Sequence, residues 1–464
     1  MQQIVRRLWA MLERVPRVYL TLALGAEASA AMFVSRSGRV ETGLIQFRLG
    51  AEEILAVHRI HSTFLPVGYP ALLGWVEVAS WSHGKTAMAA SIIGMQIVLL
   101  LVILLLARAV LLEYGSARFA TTTALIVSLY PQVIVGANRI SDTDLTLLLL
   151  LGVWFAVLRL RKRGSWPYAL LAGAFVAAST VVRPNLALMA LLLIWSVWKI
   201  ELRAAIRLLG VSLAAMLAVY CAITSAVHGR PFFPSNGPYN LYAGYNPYSE
   251  EYLLRELNAE DSILPATAAA GIHAGLDWSR PSNLPGIDDV RDDKYAPYYT
   301  SSSKSFVRAH PAEAIGLSGI KLFTFFRQSY DNKLKQTAPS HSLTVWFKES
   351  ALLVFPIWGA LLLYPGWRRM HLASPLTLWM AALYVIPFVL INSDPRFRIP
   401  LESVVLIDVA RMLYLLRIRS RTGAGDTVGH FNAGMQPGPW ALSDVGTQGS
   451  RRGQSQRTYL TSFP

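Results

Sequence analysis

Apolar residues run along this chain in unbroken blocks, without the alternation of a half-buried strand or the single stripe of a soluble helix. The blocks predict about ten membrane-crossing helices, over residues 17–34, 88–112, 119–137, 143–159, 167–182, 185–199, 204–227, 349–364, 373–391 and 398–416. A bilayer core asks for about 20 apolar residues in a helix, and several blocks are a little shorter. Two more stretches are apolar enough to touch lipid, residues 66–81 (Pro66 to Trp81) and 312–329 (Ala312 to Ser329). Each can cross the membrane or lie along its surface.

The basic residues between the blocks decide the topology. With the N-terminus inside and only the ten blocks crossing, four clusters fall on the cytoplasmic side: Arg159-Arg161-Lys162-Arg163, Lys199-Arg203-Arg207, Arg368-Arg369 and Arg417-Arg419-Arg421. That is the positive-inside arrangement. Counting one ambiguous stretch as a full span moves some clusters outside, so both are read as juxtamembrane or re-entrant helices on the outer face.

Three regions follow. Residues 1–16 form a cytoplasmic N-terminus, residues 17–419 the membrane domain, and residues 420–464 a disordered cytoplasmic tail rich in Gly, Ser, Arg and Gln. The N-terminal arginines Arg6, Arg7, Arg14 and Arg17 precede the first block as in a retained signal-anchor. Within the membrane domain two external loops, 35–87 and 228–348, are too long for simple connectors, and loops of that size are usually functional. No internal repeat is visible, which weakens an inverted-repeat transporter reading.

Composition agrees with this class. Of 464 residues, 53% are hydrophobic and 15% charged, where soluble proteins carry about 25% charged. The net charge of +15 sits in the inter-block clusters, without the aromatic interleaving of a nucleic-acid surface. The single cysteine, Cys221, excludes an intrachain disulfide and a cysteine metal cluster. No zinc-protease motif, phosphate-binding glycine loop or dinucleotide fingerprint occurs, so metalloprotease and ATP-driven transport lose support.

The outer-face segments hold the candidate chemistry. Glu52 and Glu53 stand in the first loop, followed by Phe64-Leu-Pro66-Val-Gly68-Tyr69-Pro70. The pair suits a general base or a solvated acidic helix start. Ser141 or Asp142 caps the helix that follows, or Asp142 orients an acceptor or pairs with a basic group. Arg183, in Val182-Arg183-Pro184-Asn185, snorkels to the surface or binds a lipid phosphate. Arg396 and Arg398 open the last span from outside, against the positive-inside bias, which points to an anionic partner. Arg398 also has Glu402 at i,i+4, a structural pairing, which leaves Arg396 the freer of the two. Asp408 and Arg411, at i,i+3 within that span, read as a pair near the inner boundary. The large loop opens with Asn236-Gly237-Pro-Tyr239-Asn240-Leu-Tyr242-Ala-Gly244-Tyr245-Asn246-Pro247. Its amides and phenols suit hydrogen bonding and stacking on a sugar, or a plain Asn/Gly/Pro turn.

Taken together, five segments resemble one family, the bacterial membrane glycosyltransferases of the family 39 type, which include lipid A aminoarabinose transferases and protein O-mannosyltransferases. The matching elements are the acidic first loop with Pro66-Val67-Gly68-Tyr69-Pro70, Ser141-Asp142, Val182-Arg183-Pro184, Asn236 to Pro247, and Asp394 to Pro400. They occur in the family's order from about residue 40 to 416. The resemblance implies an all-α GT-C fold of about ten transmembrane helices, with outer-face juxtamembrane helices and a periplasmic loop cap. It implies a multi-pass protein of the inner (plasma) membrane with both termini cytoplasmic. The reaction it implies moves a sugar from a polyprenyl-phosphate donor to a lipid, glycan or protein acceptor of the cell envelope, with inversion and without a metal or other cofactor.

Carried over residue by residue, Glu52 or Glu53 is the base and Asp142 assists. Arg183, Arg396 and Arg398 hold the donor phosphate. Tyr69, Asn236, Tyr239, Asn240, Tyr242 and Asn246 shape the donor and sugar pocket. One departure stands out. The family usually places an aspartate at the start of the first-loop acidic motif, where this chain has Gly50 or Ala51. Glu52, with its longer side chain, would take that role, and Glu41 or Asp142 are further carboxylates within the same topology. Two other functions compete: a transporter or flippase for a lipid-linked saccharide, and a catalytically inactive family member that acts as an assembly partner.

Overall fold

The computed structural model describes residues 25, 50–54, 59–60, 66–80, 85–130, 132–133, 141–198, 200–234, 236–247, 249–250, 296–327, 342–363, 374–391 and 395–422. The expected N-terminus 1–16, nearly all of the first span 17–34, the Arg368-Arg369 pair and the tail beyond 422 lie outside them. Every regular element among the described residues is a helix.

Thirteen α-helices are described in chain order. The first seven are α1 (Gly68–Ser80), α2 (Lys85–Leu111), α3 (Ala117–Ser128), α4 (Thr143–Arg163), α5 (Trp166–Val182), α6 (Leu191–Val197) and α7 (Leu202–His228). The others are α8 (Asn236–Gly244), α9 (Ala296–Ala309), α10 (Pro311–Arg327), α11 (Ser342–Leu363), α12 (Pro375–Leu390) and α13 (Ile399–Thr422). Short 3-10 helices, Pro184–Ala190 and Pro395–Arg398, lead into α6 and α13. Among the described residues, three helices are long and apolar enough to cross a membrane: α2 over Gly94–Leu111, α4 and α7. Trp166–Val182, Pro184–Val197, Leu353–Leu363 and Pro375–Leu390 are apolar but shorter.

Helix α4 is the centre of the core. Leu147, Leu150, Leu151, Trp154, Val157 and Leu160 are all buried, against α2, α5, α6 and α13. A helix apolar on all sides belongs inside a bundle. Helix α7 is the opposite case. It packs chiefly on α5 and leaves Leu202, Ile206, Leu213 and Leu217 exposed, an apolar face of the kind lipid covers. The α5–α7 crossing is close because Gly173 has no side chain. A methyl group there would lie 2.0 Å from the Ser212 carbonyl oxygen.

The basic end of α4 meets the end of α2. Glu113, just past α2, binds Arg159 at 2.6 Å and Lys162 at 2.7 Å at the end of α4. Arg161, Lys162 and Arg163 fill the last turn of α4, where cations are favoured by the helix dipole. Gly164 then ends the helix in the left-handed region, at φ 56°, with its N–H on the Leu160 carbonyl.

Three segments differ from expectation. The helix expected over 119–137 ends at Ser128, with Leu129 as its C-cap and Tyr130 outside any helix. Residues 185–199 were expected as one α-helix, and the chain begins there with a 3-10 turn before α6. Pro184 has no N–H to donate, and the Leu186 N–H turns back to Arg183 O at 2.9 Å. A 3-10 turn rises about 2.0 Å per residue against 1.5 Å for α, so this short segment reaches further than its length implies. Residues 236–244, read as a turn, form α8. Pro238 sits in its first turn, where no N–H is required. Tyr239 and Tyr242, one turn apart, then both pack on Tyr299 of α9, with ring centroids 5.7 and 5.1 Å away.

Candidate functional site

The first-loop acids sit on a helical turn, residues 50–54, that lies across α1. Glycines make the approach possible. A methyl group on Gly50 would lie 3.1 Å from Pro70 Cβ, and one on Gly74 would lie 3.1 Å from Ile54 Cβ. Ala51 and Ile54 are buried against α1, which turns Glu52 outward, exposed, and leaves Glu53 half-buried. The start of α1 meets the end of α5 just as closely, since a methyl group on Gly68 would lie 3.0 Å from the Val182 backbone.

Tyr69 joins this corner to the start of α4. Its phenol oxygen accepts from the Ser141 N–H at 3.1 Å and from Gln96 Nε2 at 3.2 Å. Burial, followed by the Asp144 carboxylate, holds the phenol above its ordinary titration range, so Tyr69 is a neutral hydroxyl at any physiological pH.

Asp142 stands at the N-cap position of α4 but makes no side-chain cap bond. Ser141 Oγ accepts from the Thr143 N–H at 3.3 Å instead. The Asp142 carboxylate turns to Arg183, which donates from Nε at 2.6 Å and from Nη2 at 2.8 Å. Arg183 Nη1 donates to the Tyr384 hydroxyl of α12 at 2.9 Å, and Tyr384 donates to the Phe397 carbonyl at 2.6 Å. The Phe397 ring lies under the guanidinium, 4.9 Å from Cζ. Arg183 is 4% exposed. Two hydrogen bonds to the Asp142 carboxylate, a third to the Tyr384 hydroxyl and an aromatic face are what let such a charge be buried.

Arg398 forms a second knot. It pairs with Glu402 and donates to the carbonyls of Phe326, at 2.8 Å, and Phe325, at 3.3 Å. Tyr130 donates to the other Glu402 oxygen at 2.9 Å. The i,i+4 pairing expected of Arg398 is present, and it ties α13 to the end of α10. The side chain of Arg396 lies outside the described residues. Asp408 and Arg411 pair at 2.9 Å, as expected, with Trp358 Nε1 on the carboxylate at 3.0 Å.

The α8 segment is a third cluster. Asn246 Nδ2 donates to the Tyr242 carbonyl at 2.7 Å, closing the end of α8. Tyr239, Tyr242 and Asn246 are buried, while Asn236 and Asn240 are half-buried. Gly244 presses on the end of α12, where a methyl group would lie 1.8 Å from the Ile391 carbonyl oxygen.

The residues singled out from sequence are thus sorted into neighbouring groups. Tyr69, Asp142 and Arg183 share one network, Arg398 another, and the α8 residues a third, with α12 and the Pro395–Arg398 turn running between them. Of the three arginines assigned to a phosphate, Arg183 and Arg398 each face an internal carboxylate, and the side chain of Arg396 lies outside the described residues. Lys321 of α10 was missed. It is completely buried, its Nζ lies 3.3 Å above the Tyr245 ring, and it has no hydrogen-bond partner among the described residues. Its sequence signal was a lone lysine in an apolar stretch. No group of three or more His, Cys, Asp or Glu side chains among the described residues has the arrangement to hold a metal ion. No protein-family model and no curated protein matches the chain.

Proposed function

We propose that this chain is a polytopic membrane glycosyltransferase with a GT-C-like bundle of about ten spans, both termini cytoplasmic. It moves a sugar from a polyprenyl-phosphate donor to a cell-envelope acceptor on the outer face. The observation that carries the reading is the convergence of segments far apart in sequence. The turn at 50–54 packs on α1, Tyr69 of α1 binds the Ser141 N–H, and Asp142 binds Arg183. Phe397, from the Asp394–Pro400 segment, covers Arg183. These are four of the five segments that resemble the family 39 enzymes, and their gathering in one corner supports the reading.

In this reading Glu52 or Glu53 accepts the proton of an acceptor hydroxyl or amine. The freed pair attacks the anomeric carbon, the C1–O bond to phosphate breaks, and the lipid phosphate leaves with the bonding electrons. The anomeric centre inverts. Among the described residues Glu52 is exposed and Glu53 half-buried. Asp142, held by two bonds to Arg183, acts as a positioning group. The pairs Asp142–Arg183, Arg398–Glu402 and Asp408–Arg411 are mutually neutralised, which weighs against a continuous polar path and hence against a transporter.

The test is sugar transfer by Glu52→Gln, Glu53→Gln and the double variant in proteoliposomes. Loss of transfer in one single variant and in the double, with normal insertion, is expected. Full transfer in all three rules out the base assignment.

A further inference from the structure

Among the described residues, Lys321 is a buried lysine without a matching anion. A charged side chain is almost never fully buried unless it is paired. An ammonium has three donors, and a buried polar group without hydrogen bonds is costly. The described residues around Nζ include the Tyr245 ring face, the Gly244 backbone and the Ile391 carbonyl beside it, and none of them forms a hydrogen bond with Nζ. Nζ lies 3.3 Å from the Tyr245 ring centroid, and a methyl group placed on Gly244 would come within 2.8 Å of it. The ring is held in place by the hydrogen bond between Tyr245 Oη and Ser318 Oγ, at 2.8 Å. Burial lowers the lysine to about 7, so the amine is poised to gain its proton when an anion arrives.

Its location bears on the donor. Lys321 and Ser318 lie on one outer-face helix, α10, and Gly244 and Tyr245 close the Asn236–Pro247 segment. The end of α10 is tied through Phe325 and Phe326 to Arg398. The other buried cations of this region, Arg183 and Arg398, already face Asp142 and Glu402. We propose that Lys321 Nζ is the group that receives a phosphate oxygen of the ligand, with the Tyr245 ring covering the position until the phosphate displaces it. Assigning that phosphate to a polyprenyl-phosphate donor rests on the glycosyltransferase reading. The phosphate position itself does not.

The experiment uses the full chain in nanodiscs, titrated with a 55-carbon polyprenyl phosphate, inorganic phosphate or phosphatidylglycerol, and read by native mass spectrometry. Wild type is expected to retain polyprenyl phosphate. Lys321→Met is expected to weaken binding at least about tenfold, the scale of one lost charge contact. Lys321→Arg, which keeps the charge, should stay closer to wild type. Thermal unfolding of each variant establishes that it is folded. Displacement by inorganic phosphate supports the site and assigns it to a free anion. Displacement by phosphatidylglycerol supports it and assigns it to lipid headgroups at large. Equal polyprenyl phosphate binding by wild type and Lys321→Met overturns the proposal, as does binding of none of the three probes by wild type. Sugar transfer, measured on the same samples, separates the two readings. Unchanged binding with intact transfer removes only the Lys321 site, whereas Lys321-dependent binding without transfer from any donor removes only the enzyme.

Discussion

Arg183 grips both carboxylate oxygens of Asp142, at 2.6 and 2.8 Å, across 41 positions of the chain. The contact locks the start of α4 to the end of α5, and through Tyr384 it brings in α12. Removing one partner leaves a buried uncompensated charge, which typically costs about 3–5 kcal/mol, whereas replacing both with apolar groups is often near neutral. Asp142→Leu and Arg183→Met alone should therefore each destabilise by about that amount. The Asp142→Leu/Arg183→Met double variant should recover most of the loss. Denaturation of the four proteins in one detergent checks this. Simple addition of the two losses would mean that the pair is not coupled.

Much of the helix pattern was legible because the apolar blocks are long. The boundaries of α2, α4, α5, α7 and α12 fall within a few residues of the expected spans. The 3-10 start at Pro184 was not legible, since a missing N–H shifts the hydrogen-bond pattern without changing hydrophobicity. Nor was α8, whose Asn, Gly and Pro favour turns until Tyr239 and Tyr242 find Tyr299. At the site, the i,i+4 and i,i+3 pairs of the last helix could be read from local spacing. The Asp142–Arg183 pair was open among several readings, because which arginine meets which acid is decided by helix packing. Lys321 was missed for the same reason: its meaning comes from Gly244 and Tyr245, distant in sequence.

The α5–α7 crossing depends on a missing side chain. Gly173→Ala places a methyl group 2.0 Å from the Ser212 carbonyl oxygen, so α5 and α7 must separate. Overpacking of this kind costs about 1–3 kcal/mol. A lowered melting temperature is expected. Gly210→Ala, where nothing lies within 4 Å, is the control and should leave it unchanged or raise it, as alanine favours helix.

Lys321 gives stability a pH dependence. Its folded value, about 7, lies below its ordinary 10.5. Between those two values the unfolded chain holds the extra proton, so stability rises with pH across that window. Below about 7 both states are protonated, and the cost of the buried charge is fully present. Lys321→Met should melt higher than wild type near pH 6, and the gap should narrow toward pH 9.5. A constant gap from pH 6 to 9.5 would show that the amine does not titrate in the fold.

The single cysteine makes topology directly measurable. In a Cys221→Ala background, a cysteine at Glu313, an exposed position on α10, should react with a membrane-impermeant maleimide in intact cells whose outer membrane is opened. A cysteine at Arg163, at the basic end of α4, should react only after the inner membrane is broken. Labelling of both under the first condition would contradict the charge-based topology.

On the proposed function, the acidic corner at Glu52 and Glu53 turns over a lipid-linked sugar. The most direct measurement of that turnover is phosphorus NMR of proteoliposomes supplied with polyprenyl-phosphate-linked hexose, pentose and aminopentose donors and an envelope extract as acceptor. With one of these donors, the phosphodiester signal should fall and a phosphomonoester signal rise with wild type, and neither should change with the Glu52→Gln/Glu53→Gln double variant. A phosphodiester signal unchanged by wild type across all the donors, or a monoester formed equally by the double variant, would contradict it.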